Sequence, residues 1–185
     1  MINATELRKG VIIEFEGKLY QVVEHQHVKM KRTALSKVKL RDISAGHTIE
    51  RSIQSDEKLV RARLDTVQMQ YLYNDGDLYY FMDQETYEQM PLTREQLGDG
   101  LDYLKEGNSV EVTSHKGKVV GVTLPITVEL EVTQADPGFK GDTATAGSKP
   151  AKLETGVTIH VPLFVNEGDV IKVDTRTGTY LERSS

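Results

Sequence analysis

An all-β chain made of several small barrels is predicted by three features of the sequence. Apolar residues alternate with polar ones at period two, turn residues recur at short intervals, and only one short stretch can be helical. Many short strands with frequent turns exceed what one barrel needs, so 185 residues divide best into three units of about 60 residues each.

Taken in order, the turn signals are Glu16-Gly17, Ala45-Gly46, Asn74-Asp75-Gly76, Lys116-Gly117, Asn166-Glu167-Gly168 and Thr177-Gly178, each between runs rich in Val, Ile, Leu or Tyr. A hairpin is expected over His27–Arg41. One boundary falls near Leu64/Asp65, where the charge changes sign. The single helical candidate is Thr93–Leu104, TREQLGDGLDYL, kept short by its two glycines. A second boundary falls at Thr123-Leu124-Pro125, where a proline interrupts two strand patterns. Beyond it Val128, Leu130 and Val132 alternate with Thr127, Glu129, Glu131 and Thr133, as in a half-buried strand, and Val157, Ile159 and Val161 repeat the pattern. Between them Gly138–Pro150, GFKGDTATAGSKP, reads as a long loop. It lacks the Gly-x-x-x-x-Gly-Lys-Ser/Thr phosphate loop and a helix after it, so nucleotide binding is not expected; its open amides and hydroxyls suit either a structural loop or RNA contact.

Composition narrows the function. The chain has no cysteine, which excludes a disulfide framework, thiolate catalysis and a Cys-ligated metal site. No apolar run reaches the roughly 18 residues that span a bilayer, and MINATELRKG has no apolar signal core, so a cytoplasmic protein without membrane contact is expected. Charge is segregated. Residues 1–64 hold 13 Lys and Arg against 8 Asp and Glu, a net +5, while residues 65–185 carry −10. One end should seek phosphates and the other avoid them.

The basic charge is concentrated in His27–Arg41, HVKMKRTALSKVKLR, with six Lys or Arg and no acid. On a hairpin, Lys37, Lys39 and Arg41 share one strand face, with Val38 and Leu40 on the other, and Met30, Lys31, Arg32 and Thr33 form the tip. Three readings fit: a solvated hairpin whose lysines block edge pairing, an RNA-contacting arm, or a metal site built on His25 and His27, whose H-x-H spacing puts both imidazoles on one face. Cationic surroundings oppose the metal, and His47, His115 and His160 are isolated; no catalytic set and no metal site is expected.

Three further stretches, QYLYNDGDLYYFMDQETYEQ (Gln70–Gln89), DPGFKGDTATAGSKPAKLETG (Asp136–Gly156) and VPLFVNEGDVIKVDTRTGTYLER (Val161–Arg183), resemble the translation elongation factor P family, and the likeness covers essentially the whole chain. The resemblance implies three β-barrel domains in an L-shaped, tRNA-like arrangement. They are an SH3-like, KOW-type domain over 1–64 and two OB-type domains over 65–127 and 128–185.

It further implies a factor, not an enzyme, that needs no cofactor and acts as a monomer. The factor contacts both ribosomal subunits between the peptidyl-tRNA and exit sites and relieves stalling at consecutive prolines. A ribosome-associated RNA-scaffold module with no effect on peptide bond formation is the alternative. In the family the hairpin tip is a Pro/Gly-containing Val-Lys-Pro-Gly-Lys-Gly loop whose Lys or Arg, often extended by a modifying enzyme, approaches peptidyl-tRNA. Here the tip is Val28-Lys29-Met30-Lys31-Arg32-Thr33, one residue shorter when Lys39-Leu40 are aligned. Lys31 then occupies the tip position, with Arg32 the close alternative; Lys29, Lys37, Lys39 and Arg41 complete the expected RNA-binding set. Gly141, Asp142 and Thr143 match the family's third-domain loop, which lies near the small subunit and the exit-site codon of the mRNA.

Overall fold

The computed structural model describes residues 1–29, 34–137 and 147–184. Lys31, Arg32, Gly141, Asp142 and Thr143 therefore lie outside the described residues. Three sheets account for the strands. The first contains β1 (Ile2–Asn3), β2 (Ile12–Phe15), β3 (Lys18–Lys29), β4 (Ala34–Asp42), β5 (Thr48–Gln54) and β6 (Lys58–Arg61), in the order β1-β6-β2-β3-β4-β5. The second contains β7 (Asp65–Asn74), β8 (Leu78–Asp83), β9 (Gln89–Thr93), β10 (Ser109–His115) and β11 (Lys118–Thr123), in the order β11-β10-β7-β8-β9. The third contains β12 (Thr127–Ala135), β13 (Ser148–Leu153), β14 (Thr158–Pro162), β15 (Val170–Asp174) and β16 (Thr179–Arg183), in the order β14-β13-β12-β15-β16. By contacts the chain divides into two compact units, Met1–Thr66 with Thr113–Gly121, and Val67–Val112 with Val122–Ser185. No helix among the described residues is long and apolar enough to cross a membrane.

Period two sets the cores. In the first sheet Ile13, Tyr20, Val22, Val38, Leu40, Ile53 and Leu59 turn inward around Ala4 and Leu7. In the third, Val128, Leu130 and Val132 are buried with Ala151, Leu153, Ile159, Val161, Ile171 and Val173. The second sheet buries Met69, Tyr71, Tyr79, Phe81, Leu92, Val110 and Val112. Phe81 is fully buried, 5.3 Å from the Tyr71 ring between centroids at a tilt of 46°.

Helix is as scarce as the sequence predicts. Within Thr93–Leu104, one turn of α-helix, α1 (Arg94–Leu97), leads into a 3-10 stretch Gly98–Tyr103. Thr93 caps α1: its Oγ1 accepts from Gln96 N–H at 3.3 Å, and Gln96 Oε1 accepts from Thr93 N–H at 2.8 Å. A second 3-10 turn, Ala4–Glu6, has no apolar periodicity to announce it; Glu6 reaches back to accept from Asn3 N–H at 3.0 Å. The loop expected over Gly138–Pro150 ends earlier, because Ser148, Lys149 and Pro150 belong to β13. A proline is tolerated there: β12 pairs with β13 only as far as Ala135 opposite Ala151, so Pro150 has β14 as its one sheet neighbour.

Two kinds of turn close the hairpins. Glu16-Gly17 joins β2 to β3 with φ of 50° and 76°, and Lys116-Gly117 joins β10 to β11 with 50° and 78°; both are two-residue turns with left-handed central positions, which match the strand twist. The β4–β5, β8–β9 and β15–β16 connections share a longer form. An aspartate at the strand end accepts two backbone N–H groups of the turn or one plus a side chain, and its own carbonyl accepts the N–H four residues on: Gly46 to Asp42 at 2.9 Å, Tyr87 to Asp83 at 2.9 Å and Gly178 to Asp174 at 2.8 Å.

In the third of these turns Arg176 Nη2 and Nε donate to the Asp174 carboxylate at 2.9 and 3.3 Å and Arg176 N–H at 2.8 Å, which holds that carboxyl well below its ordinary range, at about 2. A depressed folded pKa stabilises the fold above the unfolded value of 3.8, and the contribution is lost as pH falls from there through about 2. Asp174→Asn keeps an acceptor but removes the titration. Its melting temperature is expected to fall less steeply than that of the parent as pH drops from about 4 to about 2; parallel curves would show that the pair does not couple to folding.

Candidate nucleic-acid interface

The basic stretch forms the β3–β4 hairpin, paired from Tyr20 opposite Asp42 to Lys29 opposite Ala34. β2 pairs with β3 only up to Gln21, so from Glu24 to Lys29 the sheet is an arm of β3, β4 and β5. A bulge between Val22 and Glu24 reverses the facing of β3. Before it Tyr20 and Val22 point into the core; after it Glu24 is exposed, and half-buried His25 takes the face of Val38.

On the outer face, Lys37 and Arg41 are exposed and Lys39 is half-buried. Lys37 stands opposite Gln26 and Ser52, and Arg41 opposite Gln21 and Thr48. Lys39 stands opposite Glu24 on one side and Glu50 on the other. The run His27–Arg41 contains no acid, but its sheet neighbours place two carboxylates beside Lys39. The cationic character of this face therefore rests on Lys37 and Arg41. None of Lys29, Lys37, Lys39 or Arg41 forms an ion pair among the described residues.

Lys29 is exposed on the opposite face, in line with His25 and His27. The described part of the arm thus carries positive charge on both sides, as a strand lying against a folded polyanion can use. Four residues, 30–33, separate Lys29 from Ala34 and include Lys31 and Arg32, which are outside the described residues.

The two histidines face the same way, as their spacing predicts. Burial, and then the charge of His27, push His25 below its usual pKa, and its Nε2 has no hydrogen-bond partner among the described residues. A neutral ring at neutral pH follows. Among the described residues no third His, Asp, Glu or Cys joins these two as a metal site. Ser36, across from His27, is buried and donates to Ala4 O at 3.4 Å.

The stretch with Gly141, Asp142 and Thr143 falls between the end of β12 at Ala135 and Gly147, just before β13. Its described ends are tied down. Lys149 is buried and its Nζ donates to Asp136 O at 2.7 Å, while Leu163 N–H donates to Gly147 O at 3.2 Å. A Cβ on Gly147 would lie 2.5 Å from Leu163 Cδ1, so any side chain here would require the Leu163 side chain to move. Lys149 falls in the stretch expected as loop, yet it belongs to β13. Its alternation with Ala151 and Leu153 was the available signal that it points inward.

Three family models match in chain order: the elongation factor P (EF-P) KOW-like domain over residues 3–59, the elongation factor P (EF-P) OB domain over 64–122, and the elongation factor P C-terminal domain over 128–183. Elongation factor P of Acetivibrio thermocellus is 54% identical over 184 residues, covering 99% of this chain and all of that protein. Elongation factor P of Ruminiclostridium cellulolyticum is 53% identical, covering 99% of each chain. Among solved structures, eukaryotic translation initiation factor 5A from Methanococcus jannaschii superposes with a TM-score of 0.54 at 24% identity, covering 66% of this chain and 91% of that one, which is a likeness of fold. An all-β chain with a KOW-like first sheet and an OB-type second sheet, matched at this identity along its whole length, belongs to the elongation factor P family, a family of translation elongation factors and not of enzymes.

Proposed function

We propose that this elongation factor binds the ribosome in the cytoplasm between the peptidyl-tRNA and exit sites and promotes peptide bond formation where consecutive prolines stall it. Its domains in this reading are residues 1–64, 65–127 and 128–185. The observation that carries the proposal is the basic β3–β4 arm: Lys29, Lys37 and Arg41 are exposed and form no ion pair among the described residues, in a chain whose formal net charge is −5. Phosphate attraction concentrated on one arm orients a protein on RNA, and the acidic remainder suppresses misdirected adhesion.

The chemistry asked of such a factor is positional. A proline ring fixes φ and restricts how donor and acceptor align. Holding peptidyl-tRNA in a reactive geometry lowers an entropic barrier without any acid or base of its own. Lys31 is the residue that reaches the peptidyl-tRNA end in this reading, with or without a covalent extension added by a modifying enzyme; Arg32 is the alternative. Gly141, Asp142 and Thr143 approach the small subunit and the exit-site codon.

Competition tests the site. The chain is expected to bind ribosomes that hold peptidyl-tRNA and to be displaced by deacylated tRNA that fills the exit site; simultaneous binding of both would exclude the proposed position. For Asp142 and Thr143, the double change to Ala should weaken rescue of proline runs while leaving thermal stability within about 0.5 kcal/mol of the parent, the result expected if the pair acts through the ribosome and not through the fold. A large stability loss with normal activity per folded molecule would assign the pair a structural role.

A further inference from the structure

The three aspartate-capped turns share one hydrogen-bond pattern, and where two of them close on glycine the third has tyrosine. In each, the fifth residue adopts a left-handed φ: 75° at Gly46, 68° at Gly178 and 61° at Tyr87. Glycine is the residue this conformation favours, because any Cβ crowds the following carbonyl, and a bulky side chain there is an outlier. The conformation at Tyr87 is imposed by hydrogen bonds. Tyr87 N–H donates to Asp83 O and Asp83 N–H donates to Glu88 O, each at 2.9 Å, while Asp83 Oδ1 accepts from Glu85 N–H at 2.7 Å and Thr86 N–H at 3.1 Å. The ring is 72% exposed and takes part in no ring pairing or side-chain hydrogen bond among the described residues. Stability alone would put glycine here, as it does in the two sister turns. An observed strain without local compensation points to a use for the side chain outside the molecule.

The surroundings say what kind of partner. Asp83, whose carboxyl the two turn amides hold below its usual pKa, lies at the base of the turn, and Glu85 and Glu88 are exposed on either side of Tyr87. The turn at Asp42 has Ser44, Gly46 and His47 in the corresponding places, and that at Asp174 has Arg176, Gly178 and Thr179. Only the middle turn joins an exposed aromatic ring to a rim of carboxylates. We propose that Tyr87 is a docking anchor for a basic protein surface, its face receiving a guanidinium or ammonium group that Glu85 and Glu88 pair with at the rim. Phosphate-rich RNA is disfavoured by the same carboxylates, which repel it. Because the inference rests on ribosome binding as proposed above, the partner is a protein of the ribosome.

The test uses the full chain and purified ribosomes. Tyr87→Gly is expected to leave the melting temperature unchanged or raise it, since it relieves the strained φ, while weakening ribosome binding by about tenfold, the loss typical of an interface anchor. Tyr87→Phe, with the ring kept, should bind within about twofold of the parent. With p-benzoylphenylalanine at position 87, irradiation of the ribosome complex should yield an adduct that resists nuclease and is degraded by protease. Equal ribosome affinity of Tyr87→Gly and the parent, or an adduct to RNA, overturns the proposal while leaving ribosome binding itself intact. If the parent chain does not bind ribosomes at all, both readings fall together.

Discussion

Phe81→Ala is expected to cost about 3–5 kcal/mol of unfolding free energy, the range for deleting a fully buried aromatic ring. The ring is fully buried and packs against Tyr71, in a sheet that also buries Met69, Leu92, Val110 and Val112. Small barrels have little reserve, since a 60-residue unit buries only about 60% of its unfolded surface. One such cavity removes much of what holds the middle sheet together. Urea titration followed by far-ultraviolet circular dichroism and tyrosine fluorescence measures the effect. A loss under about 1 kcal/mol would mean that the site collapses around the missing ring and that the packing described for this sheet is not what stabilises it.

Lys31→Ala is expected to slow synthesis through proline runs by at least about tenfold, equivalent to about 1.4 kcal/mol of lost transition-state stabilisation. Arg32→Ala should cost clearly less. In the proposed reading, alignment of Lys39-Leu40 with the family's loop puts Lys31 at the tip, and an amine on a flexible stem accepts a covalent extension more readily than a planar guanidinium does. Both variants should keep most of their affinity for ribosomes, because Lys29, Lys37 and Arg41 remain on the arm. The rate of proline-run synthesis at saturating factor separates the two residues. If Arg32→Ala is the more damaging change and Lys31→Ala is near the parent, the register is shifted by one and Arg32 is the tip.

The sequence announces the fold through period two, and Val128, Leu130 and Val132 sit in the core as their alternation requires. Glu16-Gly17 and Lys116-Gly117 likewise announce their turns, since the second position carries glycine at positive φ. What the sequence conceals is register. Extending the alternation of Tyr20 and Val22 would carry Glu24 into the core; the bulge at that point turns it outward beside Lys39 instead. Glu50 reaches the same lysine from β5, across a turn. The basic run therefore looks free of acids in one dimension and is flanked by two in three. Tyr87 is hidden for a related reason: Gly46 and Gly178 mark two of the aspartate-capped turns, and the third uses a residue that no turn rule selects. Lys149 is hidden because charge suggests surface, yet its stem lies inside while its amine finds the Asp136 carbonyl.

The central claim is that this factor accelerates peptide bond formation between prolines by acting on ribosome-bound peptidyl-tRNA. The most direct measurement is the rate of tripeptide or longer proline-run synthesis in a reconstituted translation system, with and without the purified chain, alongside a message lacking prolines. The account predicts an acceleration of at least about tenfold on the proline message, about 1.4 kcal/mol off the barrier, and less than about twofold on the control. Saturating ribosome binding with unchanged rates on both messages, by protein whose tip chemistry is intact by mass measurement, would contradict it and assign the chain the role of an RNA scaffold.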